Sequence, residues 1–285
     1  MQAVSTPTLG RKRKTLMHSI AAAPHIVWAV MFIILPLLIV VYYAFTDENG
    51  AFSFANITGL TDYADIFLLS VELAVIATLV CLVIGYPLAY AIARAPAKSQ
   101  RLLVMLLMLP MWTNLLIRTY SIMAILDDGG FLNTLLGTEL HIIGTKGAVV
   151  FGMVYDFLPY MVLPIFTAMT KLDKRYIEAS YDLGCNGWQT MTRTIMPLTA
   201  SGVISGVTMV FVPSISTFYI SQKLGAGKID LVGDTIERLF QNVSTYNVGA
   251  AMSLVMMVLI LISIFIMNRF SDDHTTAPVR GGRVK

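Results

Sequence analysis

Two full charges interrupt apolar runs of this 285-residue chain: Arg118, within residues 102–126, and Asp156, within residues 147–169. Charge inside a run of membrane length is costly and is usually kept for function. If the two runs cross a bilayer in opposite directions, each charge lies roughly 13 Å from the same end at helical rise. Two uses follow. The charges can pair and fix two helices together, or Asp156 can meet a passing cation. Asn114, Arg118 and Ser121 recur at helical spacing and form one polar face, flanked by Trp112 and Tyr120. Tyr155, Asp156 and Tyr160 mix aromatic and acidic character in the next run. Aromatic faces hold ammonium groups by cation–π attraction, and a carboxylate neutralises them. Each ring taken alone also suits packing or anchoring at a membrane interface.

Hydroxyls mark the following run: Ser201, Ser205, Thr208, Ser214, Thr217 and Ser221. They suit a pore lining or helix contact, and Gly202 with Gly206 forms a small-xxx-small pair that favours close approach. Phe218 and Tyr219 stand near the end of this run, where a gate could lie.

The elements that must position these residues are membrane helices. Hydrophobic residues make up 56% of the chain and charged ones 13%, and mean hydropathy is +0.72. A soluble domain carries about 25% charged residues, so one soluble core is excluded. Apolar runs near residues 20–45, 71–93, 102–126, 147–169, 202–220 and 248–267 are each long enough to span as a helix. They are continuous rather than alternating, which excludes barrel strands. With the N-terminus inside, fifteen Lys and Arg fall in inner segments, including the run Arg11–Lys14, and four in outer ones. That asymmetry places both termini in the cytoplasm. Carboxylates gather at the other side: Asp47, Glu48, Asp62, Asp65, Glu72, Asp127, Asp128, Glu139, Asp230, Asp234 and Glu237. They form either an acidic face that attracts cations or ordinary solvated loops. The expected layout is a tail over 1–19, a six-span domain over 20–268 and a loose tail over 269–285.

One inner segment, about 171–201, is polar and helix-prone. Asp173 and Lys174 precede a helical stretch over 176–183, Gly184 permits a turn, and a second stretch over 188–195 ends at Pro197. Ala179 and Ser180 are small enough for close approach by a docked partner. A helix pair lying on lipid is the alternative. Other signals fail. Gly225-Ala-Gly227-Lys228 lacks the earlier Gly of a phosphate loop, with Ile229 where Ser or Thr is needed. The four His show no paired metal spacing, and Cys81 and Cys185 suggest no disulfide. Nothing here binds nucleic acid.

Glu178-Ala179-Ser180, then Gly184, then Pro197, resembles the EAA signature of permease subunits of ATP-binding cassette (ABC) importers. Ser180 replaces the usual second Ala, Thr194 a usual Ile and Met196 a usual Leu. Pro110-Met-Trp-Thr-Asn-Leu-Leu-Ile-Arg-Thr-Tyr120, with Gly85-Tyr-Pro87 and Lys171-Leu-Asp-Lys174, is similar to the first permease of spermidine/putrescine importers. The resemblance implies an all-α membrane protein with six transmembrane helices of the type I ABC importer permease fold and a cytoplasmic coupling helix. It implies that Glu178, Ala179, Ser180, Gly184 and Pro197 couple to an ATPase. It implies a second homologous permease, two ATPase copies that carry ATP and Mg, an extracytoplasmic binding protein, and a bacterial inner membrane. This chain would hold no cofactor and do no bond-making chemistry. Trp112, Asn114, Arg118, Tyr120, Tyr155, Asp156, Tyr160, Phe218 and Tyr219 would be candidates for the path of a polyamine. A permease of the same family for a metal chelate or amino-acid derivative is the alternative. An ion-coupled carrier is more distant, since it would need no docking loop.

Overall fold

A computed structural model describes residues 24–47, 50–138 and 140–275. The Arg11–Lys14 run, Glu48, Glu139 and residues 276–285 lie outside the described residues. The order is α1 (Pro24–Ala44), α2 (Ala64–Arg94), α3 (Ala97–Met108), α4 (Leu115–Leu126), α5 (Phe131–Leu136), α6 (Lys146–Lys171), α7 (Lys174–Asp182), α8 (Gly187–Leu198), α9 (Ala200–Ser216), α10 (Tyr219–Leu224), α11 (Val232–Phe240) and α12 (Tyr246–Thr275). Short helical turns over 55–63 lead into α2. An isolated bridge between Thr46 and Phe52 is the sole β pairing among the described residues.

Four helices are continuous and apolar enough to span: α1, α2 with its leading turns, α6 and α12. The count reaches six when two bent pairs are each taken as one span. The third run is therefore not the single helix its composition suggests. Pro110 sits in a 3₁₀ turn over Leu109–Trp112, Thr113 is extended, and the chain bends by 92° before α4 begins. Proline supplies no N–H and crowds the preceding turn, so the α-helix cannot pass through. Asn114 restarts it as an N-cap, its side chain accepting from Leu116 N–H at 2.8 Å. At the other end of the chain, helix continues to Thr275, so residues 269–275 are not the loose tail expected.

The bundle is organised on α6. It packs against α2 and α9, which also touch each other. Small residues permit the approach. A Cβ built on Gly202 would meet Ala168 Cβ at 2.6 Å and Pro164 O at 2.8 Å, and one on Gly206 would meet Met161 Sδ at 2.9 Å. Gly85 on α2 lies against the same Met161. The small-xxx-small pair thus serves packing. Cys81, Met161, Val162, Ile165 and Val210 fill the contact. By contrast α1 is peripheral, leaning chiefly on α12 and presenting Trp28, Phe32 and Leu38 outward.

The end of the bundle carrying α7 and α8 is the loop end; the opposite one is the far end. The expected acidic residues gather at the far end, but several are matched there. Glu72 pairs with Lys146 at 3.2 Å, Asp230 with Arg238 at 3.0 Å, and Asp128 with His141 at 2.9 Å. Asp234 is buried, its Oδ2 accepting from Leu231 N–H at 3.1 Å to open α11. Burial pushes its carboxyl up to about 6, with Asp230 and Glu237 adding to the rise.

A Gly202→Val substitution is expected to lower the thermal midpoint in detergent, overpacking costing about 1–3 kcal/mol, whereas Ser201→Val at the neighbouring position leaves it nearly unchanged. The folded pKa of Asp234 lies above its unfolded value of 3.8, so its ionisation opposes folding and stability falls as pH rises between them. Asp234→Asn is accordingly expected to raise the midpoint at pH 7 more than at pH 4.

Candidate functional site

The two intramembrane charges meet. Arg118 Nη1 on α4 lies 3.2 Å from Asp156 Oδ1 on α6. The Asp156 side chain is 2% exposed and that of Arg118 13%. The approach has ion-pair distance but not the direction of a hydrogen bond, and both carboxylate oxygens lack such a partner among the described residues. In this conformation Asp156 is closed off from every open surface. Asn114 is spent on its cap, and Ser121 Oγ donates to Ile117 O at 2.8 Å. Both residues nevertheless remain exposed on the helix that carries Arg118.

The aromatic candidates separate into distinct places. Tyr120 reaches Tyr219 across the α4–α10 contact, the rings edge to face with centroids 6.4 Å apart. Phe218, one residue earlier, turns away into an apolar recess against α11 and α12 with Ile236, Met256 and Ile260. That divergence comes from the end of α9: Thr217 is extended, and the helix restarts at Tyr219. Tyr160 opens onto a groove of about 540 Å³ between α6 and α9, lined also by Thr167, Lys171, Ser201 and Ser205. Part of the hydroxyl seam therefore does line open space. Ser214 and Ser221 do not; both are buried. Tyr155 is exposed on α6, and Trp112 is 73% exposed at the bend of the third run.

The loop folds as two helices around a glycine turn. Asp173 caps α7 by accepting from Arg175 N–H at 3.0 Å. Gly184 adopts φ +81° with nothing near an added Cβ, so backbone conformation rather than packing requires glycine there. Asn186 and Gln189 form a capping box that starts α8. α8 ends one residue beyond Pro197, at Leu198. A π-helical stretch over Met191–Ile195 leads into Met196–Leu198, and a 70° bend then opens α9. Ser180 differs from expectation. It is buried, its Oγ 3.0 Å from Thr190 Oγ1, and it joins α7 to α8 rather than facing outward. Ile177, Met191 and Ile195 seat the pair on the bundle. Glu178 and Ala179 are exposed on α7.

Residues that spacing did not single out complete this region. Tyr176, Tyr181, Leu183 and Trp188 stand exposed, Leu183 at 85% and Trp188 at 76%, on an otherwise polar loop. Their signal was large apolar side chains flanking Gly184. Thr199, at the bend, is fully buried, and its Oγ1 lies 3.1 Å from Tyr86 OH on α2. One hydrogen bond thus ties the base of the loop to a spanning helix.

Comparison with known proteins bears directly on this arrangement. Residues 85–275 match the family model described as binding-protein-dependent transport system inner membrane component. The chain belongs to this family. It is a multi-pass inner-membrane transport component, and the family is one of permeases rather than enzymes. The permease is 38% identical over 258 residues to the spermidine/putrescine transport system permease protein PotB of Escherichia coli (strain K12), covering 86% of this chain and 94% of that one. It is 37% identical to the protein of the same description from Haemophilus influenzae, covering 85% and 90%. The inner membrane ABC transporter permease protein YdcU of Escherichia coli (strain K12) is 25% identical, covering 80% of each. In fold, the permease is similar to a chain of a bacterial ABC transporter that imports the acidic polysaccharide alginate (TM-score 0.74, 16% identity, 92% of this chain and 96% of that one). It is also similar to a chain of the inward-facing MetNI methionine ABC transporter (TM-score 0.57, 15% identity, 74% and 95%).

Within the permease, removing one member of a buried ion pair leaves the other charge uncompensated, at a cost of about 3–5 kcal/mol. Asp156→Ala is expected to lower the thermal midpoint sharply, and Arg118→Met with Asp156→Leu to recover most of the loss. Recovered stability without recovered transport would show that the charges serve transport as well as packing.

Proposed function

We propose that this chain is one of two permease subunits of a polyamine importer driven by an ATP-binding cassette ATPase. The observation that carries the reading is its 38% identity, over 86% of its length, to a spermidine/putrescine permease. The side chains on its open surfaces are compatible with such a cargo. Polyamines are flexible cations, and Tyr155, Tyr160, Tyr120 and Tyr219 offer aromatic faces on open surfaces.

In this reading both termini lie in the cytoplasm, as the Lys and Arg asymmetry supports. A second homologous permease supplies the other half of the path. A binding protein delivers the amine at the far end. Two ATPase copies, holding ATP and Mg, dock at the loop end, one on each permease. The docking surface is α7 and the start of α8. Glu178, Ala179, Leu183 and Trp188 face the ATPase. Ser180 and Gly184 shape the surface, and Pro197 lies beyond it, near the bend. When the ATPase moves the loop, the bend at Thr199 carries the displacement into α9, and the Tyr86 contact carries it into α2. Only a differential contact between states can shift such an equilibrium. Asp156, closed off here, would meet an ammonium group only in a state that separates α4 from α6.

Uptake of labelled spermidine into proteoliposomes holding the complex tests the reading. Uptake should require ATP and the binding protein and should be competed by putrescine. Competition by amino acids or metal chelates but not by putrescine would point to another cargo. Uptake without any ATPase subunit would point to an ion-coupled carrier. At the loop, Leu183→Ala with Trp188→Ala is expected to lose the ATPase on purification. Buried aromatic anchors at interfaces are commonly worth about 2 kcal/mol or more. An undiminished ATPase yield would remove the docking role.

A further inference from the structure

Lys223 is placed against the two rings that meet at the far end. Its Nζ stands 5.4 Å from the Tyr120 ring centroid and 5.8 Å from that of Tyr219. Lys223 follows Tyr219 by one helical turn on α10, so these two share a face, while Tyr120 comes from α4. The two helices therefore build a three-sided arrangement, two aromatic rings and one ammonium. Two other basic side chains at this end find carboxylates, Lys146 with Glu72 and Arg238 with Asp230, whereas Lys228 lies along Gly144. Lys223 has no carboxylate within ion-pair distance among the described residues, and its side chain is only half-buried. An ammonium in that position is held by the two rings and by a hydrogen bond to the Tyr120 hydroxyl.

A lysine head group is a primary alkylammonium, the same chemical group that ends a polyamine. We infer that Tyr120 and Tyr219 form a binding site for an alkylammonium, occupied in this conformation by Lys223 as a tethered competitor. This inference rests on the polyamine reading above. An incoming amine gains the ring contacts only by displacing Lys223, so neutral and anionic solutes gain nothing there. Arg118 precedes Tyr120 by two residues on the same helix and faces the other way, toward Asp156. The ring pair therefore lies on the opposite face of α4 from the buried carboxylate.

The test is direct binding of spermidine, by calorimetry, to the purified membrane complex in nanodiscs without the binding protein. Lys223→Ala is expected to tighten binding about two- to tenfold, the range that cation–π contacts at partly exposed sites support. Lys223→Arg keeps a competing cation and should bind as the unmodified complex does. The discriminating variant is Lys223→Ala with Tyr120→Leu and Tyr219→Leu, in which the gain should vanish. A gain that survives loss of both rings would mean simple like-charge repulsion and would overturn the site. Unchanged, weaker or undetectable binding in Lys223→Ala, with the complex at normal yield, would overturn it as well. Uptake by the unmodified complex separates the two levels. If that complex imports no polyamine, the assigned cargo fails together with the site's ligand; if it does and Lys223→Ala is indifferent, the site alone fails.

Discussion

Close approach of helices to α6 is the constraint on which the rest depends. In hydrocarbon there is little hydrophobic gain from burying one apolar helix against another, so contact must come from fit. Gly202 and Gly206 bring α9 onto the backbone of α6, and Gly85 brings α2 onto the same methionine. Leu224 and Ile220 of α10 reach the other end of α6 at Gly152, where an added Cβ would sit 2.4 Å from Leu224 Cδ1. With these contacts made, α10 is held beside α4, and α4 can place Arg118 on Asp156. The buried charges are thus a consequence of the packing as much as a cause of it.

The same constraint explains how the loop can act on the bundle. α7 and α8 are short, and they are fixed by the contacts that they make with the bundle and with each other. They are seated by Ile177, Met191 and Ile195, joined by the Ser180–Thr190 contact, and tied at Thr199 to Tyr86. The inner face is committed to the permease, which leaves Leu183 and Trp188 for a partner. The π-helical stretch and the bend concentrate irregular backbone between docking surface and span. Such irregularity is common where helices serve function.

Much of this was legible in the residues. Apolar runs of bilayer length, two lone charges at matching depth, a small-xxx-small pair and a polar segment with one glycine all carry local physical meaning. What was not legible depended on direction. Pro110 breaks the third run, so Trp112 stands at a bend rather than on the helix that carries Arg118 and Ser121. Ser180 was small enough to allow approach, but the approaching helix proved to be α8 of the same chain. Phe218 and Tyr219 are adjacent in sequence yet serve different contacts, because the chain is extended at Thr217. For the far-end carboxylates the sequence left an acidic face and ordinary solvated loops both open, whereas in the fold several are paired and Asp234 is buried.

By itself, then, the sequence determined that the chain is a helical membrane protein and which segments must cross. It also determined which polar residues were too costly to be incidental. These properties follow from transfer free energy and backbone hydrogen bonding, which act residue by residue along the chain. Only the tertiary structure decided which residues meet: Arg118 with Asp156, Tyr86 with Thr199, and Tyr120 with Tyr219 around Lys223. Those meetings depend on helix rotation and on two sharp bends, which glycine contacts and prolines set. A pattern of residue types states what a segment can tolerate, whereas contact between segments is a property of the packed bundle alone.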